Sequence, residues 1–225
     1  MKTIVVFASG SGTNAAKIIT YFDAIETAAV KCVYCNNPNA GVIDRAAHLG
    51  VPTSVFSRAK YQKEVLKELT ALKPDLIVLA GFLWKLPKSY IDAFPNQIIN
   101  IHPSLLPKYG GKGMYGQHVF DAIVSNNESE TGITIHYVNE HYDEGAVIFQ
   151  AKTTVADTDT ATDVAAKTHL LEHAHFAPQL HQLLDQRWKR FTYIQMAPLE
   201  ETQDRGDMGS VSYTHLRAHE TRTNL

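Results

Sequence analysis

Cysteine is almost missing from this chain: 225 residues contain two, Cys32 and Cys35. A four-ligand zinc site of this type needs a second C-x-x-C pair, which does not occur. The remaining C-x-x-C alternative is a redox pair. Against it, AAVKCVYCNN reads as a strand, where positions three apart point to opposite faces, so both thiols are expected to be structural. Charge of one sign is also lacking, with 21 Lys and Arg against 23 Asp and Glu and a net charge of -2. The footprint of a long polyanion is absent and no nucleic-acid partner is expected, although a local patch could hold one phosphate. Long hydrophobic runs are missing too. The opening MKTIVVFASGSG breaks at Ser9-Gly10, too early for a secretory leader or a bilayer span, so a cytoplasmic protein with no membrane partner is expected.

Hydrophobic residues make up 44% of the chain, and their regular periods run to about residue 195. That length supports one sizeable core, so residues 1–195 are read as one domain. From 196 onward the period fades into ETQDRGDMGSVSYTHLRAHETRTNL, which resembles translated adaptor read-through; 196–225 is expected to be an irregular, disordered or non-native tail. His215 and His219 in it are i and i+4 but have no partners for a metal site.

Short apolar runs at 3–8, 28–36, 51–56, 75–80 and 97–102 alternate with helical patterns. Ala15, Ile18, Ile19 and Phe22 share one helix face; Tyr61, Val65, Leu69 and Leu72 share another, behind Ser57 as N-cap. Gly50 stands where a helix C-terminal glycine belongs. This rhythm predicts an α/β fold, a Rossmann-like, mostly parallel sheet with helices on both faces and ligands at the carboxyl ends of its strands. GITIHYV and AVIFQAKTTV predict two further strands joined by a polar turn. A helix is expected from about Thr160 through Val164, Thr168 and Leu171, with Pro178 ending it and opening another.

Three constellations carry polar chemistry to strand ends. Ser9-Gly10-Ser11-Gly12-Thr13-Asn14-Ala15 follows the first strand and opens the first helix, as a dinucleotide fingerprint or a phosphate nest would. No acidic ribose reader ends the second strand, which runs into Asn36-Asn37-Pro38, and no Walker lysine follows. A phosphate monoester therefore suits the turn better than a dinucleotide; a glycine turn needed only for packing is the alternative. In NIHPSLLPK, Pro103 holds His102 extended, and Asn100, two residues earlier, projects to the same side. A structural strand-end histidine is the alternative there. In Tyr142-Asp143-Glu144-Gly145 the acidic pair is either a solvated turn or the source of a carboxylate that would favour the imidazolium form of His102.

Together, SGSGTN, LAGFLWKL at 79–86, NIHPSLLPK and the DEG turn resemble the folate-dependent formyltransferases, specifically the branch acting on phosphoribosylglycinamide, over roughly residues 1–195. The resemblance implies the formyltransferase fold and formyl transfer from 10-formyltetrahydrofolate to 5-phosphoribosylglycinamide, without a metal. It implies Asn100, His102 and Asp143 as the catalytic trio, and Gly12, Thr13, Asn14 and Glu172 as contacts to the ribonucleotide. On the folate side it implies Arg58, the segment Leu83, Trp84, Lys85 and Leu86, and again Asn100. Monomer and homodimer both fit.

Two departures stand out. Family members follow the SLLPK-type motif with a compact turn, whereas this chain has the longer YGGKGMYGQH, so no residue of 109–118 is assigned a catalytic role. His118 and His136 are second-tier candidates. Trp84 stands where many relatives carry a smaller or basic side chain. Branches acting on methionyl-tRNA or on formyltetrahydrofolate itself normally carry an added C-terminal or N-terminal domain, which this pattern does not suggest. From other classes, an oxidoreductase module lacks its acidic ribose reader, and a non-catalytic phosphate binder leaves Asn100, His102 and Asp143 without a role.

Overall fold

The computed structural model describes residues 1–196, with side chains described through 186. The expected tail therefore lies, from 197 on, outside the described residues, as do His215 and His219. Five strands are mutually parallel: β1 (Lys2–Ala8), β2 (Ala28–Cys35), β3 (Thr53–Val55), β4 (Leu76–Leu79) and β5 (Ile98–His102). β6 (Glu130–Tyr137) and β7 (Val147–Thr154) add antiparallel beside β5, giving the order β3-β2-β1-β4-β5-β6-β7. The winding reverses between β1 and β4. In such a sheet this reversal opens a crevice at the strands' carboxyl ends.

The helices are α1 (Thr13–Ile25), α2 (Val42–His48), α3 (Arg58–Leu72), α4 (Lys88–Ala93), α5 (Gln117–Ser125) and α6 (Ala161–Met196). Strand alternation feeds two cores. Ile4, Val6 and Ala8 of β1 pack with Phe22 of α1 and Leu180 of α6, while Val5 and Phe7 pack with Tyr61 of α3 and Tyr90 of α4. Cys35 belongs to the first core and Cys32 lies against the second; burial pushes both thiols up, away from the reactive thiolate. Ser57 caps α3 by accepting from the Lys60 N–H, and Gly50, in the left-handed region, follows α2.

Two expectations need correction. Leu72, at the last position of α3, is 39% exposed rather than buried with Tyr61, Val65 and Leu69, because the helix ends there and no following turn covers it. Pro178 does not end a helix, because α6 continues through it. A proline inside a helix costs about 3 kcal/mol. Phe176 and Ala177 before it and Leu180, Leu183 and Leu184 after it all bury in one core, and that packing holds the helix continuous. Its start matches the sequence: Thr160 and Asp163 cap each other through their side chains and backbone N–H groups.

Candidate active site

The turn after β1 is braced from several sides. The Ser9 N–H donates to the Gly81 carbonyl, the Leu83 N–H donates to Ser9 Oγ at 3.0 Å, and the Val42 N–H donates to the Gly10 carbonyl. Arg45 Nε donates to the Ser11 carbonyl at 2.9 Å. Asn37, near the place where a dinucleotide enzyme would carry its ribose-reading acid, instead donates Nδ2 to the Ser9 carbonyl at 3.4 Å. Gly12 lies at φ 77°, and a Cβ there would meet Val42 Cγ2 at 2.4 Å. It caps α1 without a side chain, leaving first-turn N–H groups free of any capping oxygen.

On β5, Ile98, Asn100 and His102 share one face. The antiparallel register sets His136 of β6 directly opposite Asn100, and Asn100 Nδ2 donates to His136 Nε2 at 3.1 Å. The other ring nitrogen, Nδ1, donates to the Tyr137 carbonyl at 2.9 Å. Burial pushes the His136 imidazole below its ordinary range, while the Tyr137 carbonyl and Asp143 pull the other way. Its two contacts are those of a neutral ring with the proton on Nδ1.

The β6–β7 connection turns Asp143 inward at φ 56°, while Glu144 remains exposed. Gly145 is required here, since a Cβ would lie 1.7 Å from the Tyr137 carbonyl. Asp143 Oδ2 sits 3.6 Å from His102 Nδ1, and Oδ1 sits 3.7 Å from His136 Nε2. Both are charge-pair distances, too long for direct hydrogen bonds. Asp143 Oδ2 also accepts the Gly111 N–H at 3.0 Å, and His102 Nε2 meets the Tyr109 carbonyl at 2.7 Å. The glycine-rich loop left unassigned by sequence thus anchors both groups.

Two cavities meet here. The larger, about 590 Å³, runs from Gly12, Thr13 and Asn14 to Asn100, His102 and Asp143. The smaller, about 80 Å³, is walled by Leu83, Trp84, Lys85 and Leu86 and reaches Asn100, His136 and Asp143. Asn100 and Asp143 line both. Glu172, from α6, lines the larger one; it is 6% exposed, and burial raises its carboxyl although Asn14 Nδ2 donates to it at 2.8 Å. Arg58 lines neither cavity, yet its guanidinium lies 4.1 Å from the Trp84 ring centroid. His118 is exposed on α5 against Tyr115 and lines neither cavity.

Sequence reasoning missed Tyr109, Gly111 and His169. The first two act through main-chain atoms, which leave no residue signature. His169 lines the large cavity three positions before Glu172, and that helical spacing alone could have revealed it. Among the described residues, no group of three or more His, Cys, Asp or Glu side chains could hold a metal, and no helix is long and apolar enough to cross a membrane.

An α/β sheet with a braced nest at its winding reversal and polar groups between two cavities has many relatives. Residues 2–180 match the formyl transferase family. The chain is 35% identical over 196 residues to phosphoribosylglycinamide formyltransferase of Escherichia coli, covering 83% of this chain and 89% of that one. It is 34% identical to the chloroplastic phosphoribosylglycinamide formyltransferase of Arabidopsis thaliana, covering 84% of this chain and 67% of the relative. The crystal structure of phosphoribosylglycinamide formyltransferase from Bacillus halodurans superposes with a TM-score of 0.75 at 33% identity, covering 81% of this chain and 95% of that one. The chain belongs to the formyl transferase family.

Proposed function

We propose that this chain transfers the formyl group of 10-formyltetrahydrofolate to the amine of 5-phosphoribosylglycinamide, giving formylglycinamide ribonucleotide and tetrahydrofolate in purine biosynthesis. The observation that carries the reading is that Asn100 and Asp143 line both cavities where they meet, with His102 beside them in the larger. A transfer between two bulky substrates needs its reacting atoms at such a junction. The ribonucleotide phosphate takes the free N–H groups at Gly12, Thr13 and Asn14, and Glu172 receives the ribose hydroxyls. The folate ring takes the smaller cavity between Leu83 and Leu86, with Arg58 and Trp84 stacked at its edge.

The acceptor amine attacks the formyl carbon, and the carbonyl oxygen becomes a tetrahedral oxyanion. One Asn100 N–H is engaged by His136, which orients the second toward that oxygen. His102 Nε2 is engaged by the Tyr109 carbonyl, so Nδ1, on the Asp143 side, is the nitrogen that donates to the oxyanion. Each such preorganised donor is worth about 3 kcal/mol. Asp143 holds the imidazolium and takes the proton shed by the amine. That proton passes to folate N10 as the carbon–N10 bond breaks and the carbonyl reforms, so the reaction needs no metal. The same reading takes a cytoplasmic monomer or homodimer acting on small molecules, with neither nucleic acid nor membrane as partner.

The test is an assay with both substrates, following tetrahydrofolate release by wild type, His102→Ala and Asp143→Ala. The reading requires acceptor-dependent turnover that both variants lose. A wild-type enzyme inert toward this acceptor, or variants as fast as wild type, ends it.

A further inference from the structure

Tyr109 holds an unusual backbone, φ 55°, in a residue with a bulky ring, and only its surroundings can fix it there. Its ring packs against the cluster of Val119, Phe120 and Ile123, and its hydroxyl donates to Glu128 Oε1 at 2.9 Å. Lys108 Nζ donates to both Glu128 oxygens, at 2.9 and 3.0 Å, and Ser104 Oγ donates to the Lys108 carbonyl at 2.7 Å. The product of these contacts is a carbonyl aimed at His102 Nε2 from 2.7 Å. A carbonyl only accepts, so Nε2 must carry a proton in either charge state of the ring.

We propose that Glu128 is a positioning residue for His102: by holding the Tyr109 hydroxyl, it fixes the carbonyl that keeps the proton on His102 Nε2 and leaves Nδ1 to face Asp143. This rests on the reading of His102 as the catalytic imidazole. Glu128, Tyr109 and Lys108 line a separate cavity of about 440 Å³, and none of the three lines either substrate cavity. Changing Glu128 therefore removes no side chain from a substrate wall. The Lys108 side chain is 67% exposed, and an ion pair of that kind is screened; the buried-side link is the phenol. Second-sphere partners that orient a functional imidazole commonly matter at the level of ~10-fold or more.

Glu128→Ala, Glu128→Gln and Tyr109→Phe, with the double variant Tyr109→Phe/Glu128→Ala, test this. Expected are kcat values ~10-fold lower for Glu128→Ala and for Tyr109→Phe, KM for both substrates within about twofold, and a double variant no worse than either single one. Glu128→Gln, which keeps an acceptor for the phenol, recovers most of the rate. Nitrogen-15 NMR of His102, followed across pH and assigned with His102→Ala, should show, in the pH range where the ring is neutral, Nε2 protonated in wild type and a mixed population of tautomers in Glu128→Ala and Tyr109→Phe. Additive losses in the double variant, raised KM with intact kcat, or an unchanged tautomer in the folded single variants overturns the proposal. If wild type itself fails to turn over, the functional reading falls, while the NMR still reports whether Glu128 sets the tautomer.

Discussion

Asp143 faces His102 across 3.6 Å, Oδ2 to Nδ1, and the same oxygen takes the Gly111 N–H at 3.0 Å. The amide anchors the carboxylate without neutralising it, so its charge remains available to the imidazole. Asp143→Asn keeps an acceptor for Gly111 and removes only the charge. Its kcat is expected to fall ~10²-fold, the lower end for a residue that moves protons, with acceptor KM within about threefold. Asp143→Ala also frees Gly111 and should fall further. Steady-state kinetics decides; full activity in Asp143→Asn would show that the charge is unused.

How far the site was legible follows from the range of each contact. Asn100 and His102 could be placed together because an extended strand repeats every two residues, and Pro103 fixed the extension. The same alternation in GITIHYV puts Thr134 and His136 on one face, but only the β5–β6 register sets His136 against Asn100. Register is a tertiary fact. Asp143 arrives by that pairing as well, with a hairpin turn that looks locally like any solvated acidic turn. The loop at Tyr109 and Gly111 stayed hidden because its working atoms are a carbonyl and an amide that every residue possesses. At Pro178 the error ran the other way: the local rule was sound, but burial on both sides of the proline outweighed it.

His136 offers a pH test. Burial lowers its folded value below the ordinary 6.5, so the unfolded chain binds a proton more readily than the native one. Stability from the neutral ring is thus present above the ordinary range and declines as pH falls from it toward the lowered folded value. Thermal unfolding from pH 7.5 down to 5 should lose less stability in His136→Gln than in wild type. A parallel decline in both would show that other groups set the slope. His136→Leu, which removes the acceptor from Asn100 Nδ2, should also reduce kcat by ~10-fold, the equivalent of one lost hydrogen bond of about 1.4 kcal/mol.

Gly12 is constrained twice, by φ 77° and by Val42 at 2.4 Å from any Cβ. Gly12→Ala must move α2 against α1 or abandon the turn. A loss of roughly 2 kcal/mol in unfolding free energy is expected, since strain of this kind and overpacking each cost about 1–3 kcal/mol. Acceptor KM should rise while folate KM holds, because the nest lines the larger substrate cavity and not the smaller. Equal effects on both substrates would detach the turn from phosphate binding.

Glu172 separates binding from stability. Its carboxyl is buried and raised above the ordinary 4.5, with Asn14 opposing the shift through one hydrogen bond. A raised acid binds its proton more tightly in the native state, so the stabilising contribution is complete below the ordinary value and disappears as pH climbs through the folded one. Above the folded value the ionised group is a buried charge, with one hydrogen-bond donor and the nearby His169 opposing the cost of burial. Glu172→Gln keeps an oxygen for Asn14 and removes that charge, so its melting temperature should exceed wild type at pH 8, the gap closing toward pH 4.5. Acceptor KM should rise in the same variant if the carboxylate holds the ribose hydroxyls. A lower melting temperature at pH 8 would mean that Asn14 and its neighbours more than offset burial, and that Glu172 stabilises the empty enzyme.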